Sequence, residues 1–226
     1  MTSSHSIARQ SRRVLWRDLL APKEPFNSWS HLAAAAITVV LSPWLLWIAA
    51  TPSRIAAMST LLVGMLGTFT CSALTHALHA QQDEARLERW DRTFIYVLIA
   101  GTYTPLCLVV LSPGWSLSII VAIWTQAALG VGLCWSRWAL PRWLSTGLYV
   151  VMGWTLLLCI GHIWRVLLPY QRALLLLGGL SYTVGALIYV LRRPDPWSQR
   201  FGYHGIWHLL VVLGAGSFVA LLVSVL

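Results

Sequence analysis

Apolar residues run along this chain in seven long blocks, without the strict alternation of strands or the one-sided periodicity of surface helices. The blocks lie near residues 29–50, 55–79, 91–111, 115–135, 143–164, 171–191 and 203–225. Each approaches or exceeds the about 20 residues an apolar helix needs to cross a bilayer. The breaks between them are short and polar or turn-forming. Thr51-Pro52-Ser53-Arg54, Ser112-Pro113-Gly114 and Arg192-Arg193-Pro194-Asp195-Pro196 are the sharpest, and Gln81 to Arg89 reads as the one long charged loop. The pattern predicts an all-α fold: an integral membrane bundle of seven transmembrane helices over 29–226, with no internal repeat.

Residues 1–28 precede the bundle. Within them Ile7 to Leu20 sets Arg9, Arg12, Arg13 and Arg17 among Val14, Leu15, Trp16, Leu19 and Leu20. That is the make-up of a short basic amphipathic helix on an anionic cytoplasmic surface; a frayed basic tail is the alternative. The first apolar block starts too late for a cleaved signal peptide and is long enough to span, so it is expected to remain.

Composition agrees with a membrane class. Only 10% of the residues are charged and the mean hydropathy is +0.69, where a soluble domain carries about 25% charged residues. The net charge of +9 would suggest nucleic acid in a soluble chain. Here the basic residues sit in the gaps between apolar blocks, and no basic face with interleaved aromatics exists, so a nucleic-acid partner is excluded. The expected partners are membrane lipids. Basic residues also set orientation, because cytoplasmic loops carry the excess. With the N-terminus inside, thirteen of the sixteen are cytoplasmic, and only Arg54, Arg165 and Arg172 lie outside. The expectation is N-terminus cytoplasmic, C-terminus outside, in the cell (inner) membrane. Many of the tryptophans (Trp29, Trp90, Trp115, Trp135, Trp138, Trp143, Trp164, Trp197) fall near block ends, as an interfacial belt would. The four cysteines lie inside apolar blocks without a CxxC and read as small buried residues.

On that topology the ionisable residues converge. The second block runs outward to inward, so Ser72 and His76 lie near its cytoplasmic end. The third and seventh start there, placing Asp91, His204 and His208 at the same depth. His204 and His208, four apart, project from one helix face, as do Ser72 and His76. His162 falls on the opposite side. Three neutral imidazoles suit Zn²⁺ and leave a fourth position for water. Asp91 would hold that water as general base or orienter, or ligate directly, and Ser72 would hydrogen-bond the water or a substrate oxygen. Each piece has a plainer explanation: packing histidines, an Asp91–arginine ion pair at the interface, a small packing serine. Their shared depth favours the metal, because ionisable groups inside spans are costly and usually functional. His31 is read as capping or lining the entrance of the site, His79 as a solvated interfacial residue, and Gly101 and Gly178-Gly179 as points of close helix packing.

These residues carry a resemblance. Asn27-Ser28-Trp29-Ser30-His31, Ser72-x3-His76, Asp91 with Phe94 to Pro105, Gly185 to Tyr189, and Phe201 to His208 resemble the hemolysin III family, relatives of the progestin and adiponectin receptors. The resemblance implies seven helices with a cytoplasmic N-terminus. It also implies zinc held by His76, His204 and His208, with Asp91 and Ser72 around the zinc-bound water. Three positions depart from the family pattern: Thr75 where Tyr is usual, Arg92 where His is usual, and Gly205 where Glu is common. None removes an expected ligand. The wider superfamily includes ceramidase-like enzymes, so the implied activity is zinc-dependent hydrolysis of a lipid amide entering laterally between helices. The alternative is a non-enzymatic, receptor-like sensor or regulator of membrane state with structural zinc. A pore-forming cytolysin fits less well, because permanently apolar spans leave no plausible soluble pre-pore form.

Overall fold

A computed structural model describes residues 17–79, 81–137, 140–198 and 200–226, and the side chains among these other than those of 81–83. Most of the expected amphipathic segment Ile7 to Leu20, and Trp138 of the interfacial belt, lie outside the described residues. Arg17 to Leu20 are helical.

The described residues form helices with no strand, and seven spans are long and apolar enough to cross a membrane. In chain order the helices are α1 (Pro25–Ala49), α2 (Pro52–Ala77), α3 (Gln81–Val110), α4 (Pro113–Trp135), α5 (Arg142–Trp154), α6 (Ile160–Val166), α7 (Pro169–Leu191) and α8 (Tyr203–Val225). Proline opens α1, α2, α4 and α7, where its missing N–H costs no helical bond and its fixed φ suits the first turn. Of the prolines that break the apolar pattern in sequence, Pro52 and Pro113 are thus helix starts, while Pro194 and Pro196 lie between α7 and α8.

Two elements differ from the sequence expectation. Gln81 to Arg89 is not a loop but the first turns of α3. Glu, Gln, Arg and Ala are good helix formers, and Arg92 lies 3.9 Å from Glu88 at i,i+4 spacing. Asp91 therefore stands in the third turn of α3 rather than at its start. The fifth span is not continuous either: a 3-10 segment, Thr155–Cys159, separates α5 from α6.

The span of α3 is the most buried of the seven. It packs on α2 along their length, and small residues allow the backbones to approach. A Cβ added at Gly64 would lie 2.7 Å from the Leu98 Cα, and one at Gly101 would lie 2.5 Å from the Thr60 carbonyl oxygen. Pro105 cannot donate to the Gly101 carbonyl; the Thr60 hydroxyl lies 3.5 Å from it instead. A Cβ added at Gly178 would lie 2.7 Å from the Phe218 ring, whereas one at Gly179 would meet nothing within 4 Å, so only the first of that pair marks a close helix contact. α1 closes the bundle by packing on both α2 and α8. The outer faces carry exposed Val40, Trp47, Leu158 and Leu187, which is the surface a helix presents to lipid.

Candidate metal centre

α2 ends where α1, α3 and α8 begin, so the polar residues of four helices meet at one end of the bundle. His76 is the penultimate residue of α2, and His204 and His208 occupy the first two turns of α8. The His76 Nε2 and His204 Nε2 atoms face each other at 3.1 Å. Ligand atoms of His76, His204 and His208 all lie within 4.8 Å of one another, and the cluster could hold a metal ion.

The donor set fits such an ion. His208 is buried and its Nδ1 lies 3.1 Å from the Asn27 carbonyl oxygen. That oxygen can only accept, so Nδ1 carries the proton and Nε2 presents a lone pair. His76 Nδ1 lies 2.9 Å from a Glu24 carboxylate oxygen, which again leaves Nε2 free. A metal–nitrogen bond of about 2.0–2.1 Å separates two tetrahedral ligands by roughly 3.3 Å, close to the His76–His204 spacing. Separations in the trio reach up to 4.8 Å, so full coordination requires the farthest ligand atoms to approach by about 1.5 Å.

Ser72 and Asp91 adjoin this cluster. Ser72 is 2% exposed, and it lines the same cavity as Asp91. The competing account of Asp91, an ion pair with a neighbouring arginine, is not what the structure has. Arg92 turns its guanidinium toward Glu88 and the Glu88 carbonyl, and Asp91 forms no salt bridge among the described residues. His162 lies at the far end of the bundle against Trp115, at 4.9 Å between ring centroids.

Three residues of the α1 start are more closely involved than the sequence suggested. Glu24 takes the His76 bond together with one from the Asn27 amide at 2.6 Å. These partners hold its carboxyl well below the ordinary range, at about 2, with the His76 hydrogen bond the largest influence. Its backbone N–H also donates to the His76 carbonyl at 2.9 Å. His31 does not sit at an entrance. It is 2% exposed and stacks on His208, with centroids 3.8 Å apart and planes 9° from parallel. Among the described residues, neither of its ring nitrogens has a hydrogen-bond partner. His79 is half exposed and pairs with Asp18 at 3.3 Å.

Below the cluster a cavity of about 200 Å³ opens. His31, Ser72, Asp91, His204 and His208 line its head, and Leu98, Leu106, Leu157, Leu175 and Phe218 line its body. Lining residues of α7 run from Tyr189 down to Leu175, about 21 Å of helix at 1.5 Å per residue. One end of the cavity is therefore polar and the rest is apolar.

Fold and site together define a seven-helix integral membrane protein with a histidine cluster at the head of an apolar cavity. Residues 20–219 match the family described as "Haemolysin-III related", and the chain belongs to that family. It is 33% identical over 167 residues to "Hemolysin-3" of Bacillus cereus, covering 73% of each chain. It is 34% identical over 157 residues to the "Hemolysin-3 homolog" of Bacillus subtilis (strain 168), covering 69% of this chain and 70% of the relative. A more distant relative is "Heptahelical transmembrane protein 3" of Arabidopsis thaliana, 27% identical over 171 residues, which are 68% of this chain and 50% of the relative. The chain is a multi-pass membrane protein and sits in a lipid bilayer.

Proposed function

We propose that the protein is a zinc-dependent intramembrane hydrolase of lipid amides. In this reading His76, His204 and His208 hold Zn²⁺, and Asp91 and Ser72 handle the proton. The observation that carries the reading is the cavity: its polar head holds two of the imidazoles and a carboxylate, and its body is apolar. A single-chain lipid placed there has its linkage at the cluster and its tail among leucines. When bound, zinc supplies a Lewis acid that polarises a carbonyl and makes water acidic near neutral pH. Asp91 accepts the proton released in the attack and passes it to the leaving amine. Ser72 orients that carboxylate, and the apolar body excludes bulk water. The substrate enters sideways from the bilayer. The basic-residue bias supports a cytoplasmic N-terminus and an external C-terminus, with the site near the cytoplasmic face of the cell (inner) membrane.

A second reading keeps the zinc but makes it structural, in a membrane-state sensor or receptor-like regulator. The bonds that join His76 to Glu24 and His208 to Asn27 favour it, because the cluster then ties α1, α2 and α8 together. Metal content and turnover separate the two. Purified protein is assayed for zinc per chain, then for release of fatty acid from a fluorescent short-chain ceramide in liposomes. The hydrolase reading expects about one zinc, lost in His208→Ala, and turnover that Asp91→Asn abolishes without loss of metal. Zinc without turnover on ceramide or other lipid amides favours the structural reading. Absence of zinc in the wild type ends both.

A further inference from the structure

The start of α1 contributes no ligand, yet it touches two of the three histidines in the cluster. A histidine that binds a metal through one ring nitrogen presents the other to its surroundings. A carboxylate or carbonyl there fixes the tautomer, holds the ring and raises its basicity. Both kinds of partner are present: the Glu24 carboxylate on His76 Nδ1 and the Asn27 carbonyl on His208 Nδ1.

Glu24 is itself held in place from several directions. Its backbone N–H is fixed to the His76 carbonyl and the neighbouring Lys23 N–H donates to the Ala77 carbonyl at 3.2 Å. The Ser28 hydroxyl, one turn on, donates to the Ala73 carbonyl at 3.0 Å. The Asn27 amide braces the carboxylate. A salt bridge made only for surface pairing would not need this scaffold. Lys23 and Glu84 make such a pair nearby at 2.9 Å; their side chains are about as exposed as that of Glu24, but among the described residues the Glu84 carboxylate has no second side-chain donor to brace it.

We propose that Glu24 is a positioning residue of the metal centre: it acts through His76, setting the tautomer and strength of that ligand, while the Asn27 carbonyl does the same for His208. The inference rests on the reading of the cluster as a zinc site. It makes the turn preceding the first span part of the centre, although that turn supplies no ligand atom.

The test needs no substrate. Full-length protein in detergent is stripped with a chelator, and zinc affinity is measured by competition with a zinc-binding dye. Cobalt substitution reports ligand geometry through its visible spectrum. Glu24→Ala should weaken zinc binding by about 10–100-fold and change the cobalt spectrum. Glu24→Gln keeps an acceptor oxygen at the same place and should recover part of the affinity. Glu84→Ala removes an acid at the same end of the bundle without touching a histidine, and should leave both readings unchanged. Zinc affinity in Glu24→Ala within about twofold of wild type, with an unaltered cobalt spectrum, overturns the proposal. An equal loss in Glu84→Ala also overturns it, since the effect would then be general electrostatics. Absence of zinc and cobalt binding in the wild type instead defeats the metal reading on which it stands.

Discussion

Tyr103→Phe removes one oxygen from the centre of the bundle and should destabilise it measurably. The Tyr103 hydroxyl donates to the Gly153 carbonyl at 2.5 Å and accepts from the Leu156 N–H at 3.0 Å. These two groups flank the start of the 3-10 segment that breaks the fifth span, where the regular helical pattern no longer serves them. Phenylalanine keeps the ring and its packing but leaves an N–H and a carbonyl without their partner. An orphaned buried group costs about 1–3 kcal/mol, whereas hydrogen bonds between membrane helices average only about 0.6 kcal/mol. Two bonds lost together should therefore cost about 1–3 kcal/mol. At roughly 2–4 °C per kcal/mol for a chain of this size, the melting temperature falls by about 2–12 °C. Cys107 and Cys159 are 0% and 1% exposed, so a thiol-reactive dye reports unfolding of detergent-solubilised protein. Tyr170→Phe is the control, because Tyr170 is 54% exposed and, among the described residues, its hydroxyl meets only the Gln171 amide at 3.4 Å. A Tyr103→Phe shift no larger than that of Tyr170→Phe would refute the reasoning, and the break would then be held by packing alone.

The α2–α3 seam gives a sterically opposite test. Gly64→Val places a side chain against the Leu98 backbone, which cannot move aside as a side chain can. Overpacking of this kind costs about 1–3 kcal/mol, so the same dye assay should show a lower melting temperature or loss of folded protein. Gly216→Ala, where an added Cβ meets nothing, should be neutral. For orientation, alkaline phosphatase fused after Leu226 should be active and green fluorescent protein at the same point dark; the reverse result would overturn the assignment of an external C-terminus.

The spans were legible because length and apolar content suffice to mark them. The cluster was legible because antiparallel order brings His76, Asp91, His204 and His208 to one end whatever the packing details. What escaped was local. Gln81 to Arg89 looked like a loop because charge density was read as an end of helix, whereas helix-forming residues carry α3 past the apolar region. The break after Trp154 has no glycine or proline within it to announce it. Glu24 stands just before Pro25 and outside every apolar block, so the apolar pattern does not mark it. Its spacing with Asn27 and His31 was available as a signal, since residues three, four and seven apart share one helical face. The stacking of His31 on His208 required coordinates.

The fifth span is attached differently from the rest, and this bears on how a cavity can exist in so small a bundle. α2 and α3 meet backbone to backbone. The span of α5 and α6 makes thinner contact with its neighbours and is joined to them at separate polar points. Tyr149 donates to the Arg92 carbonyl at 3.2 Å, and Gln126 bonds Thr155 at 3.2 Å. The Trp154 indole reaches Thr183 at 3.2 Å, and Arg142 reaches the Tyr203 hydroxyl at 3.3 Å. Tyr103 completes the set. In a bilayer, apolar helix faces gain little by meeting each other, because lipid tails solvate them equally well. A wall held by a handful of hydrogen bonds can therefore stand off from the core without a large penalty, which leaves the space lined by Tyr103, Trp154 and Leu157. The helices that carry the histidines and Asp91 have no such latitude: α1, α2, α3 and α8 are fixed by close packing and by the bonds at Glu24 and Asn27. Rigid support for the polar head and a lightly attached wall beside the apolar body are thus two consequences of where this sequence places its small residues and its hydroxyls.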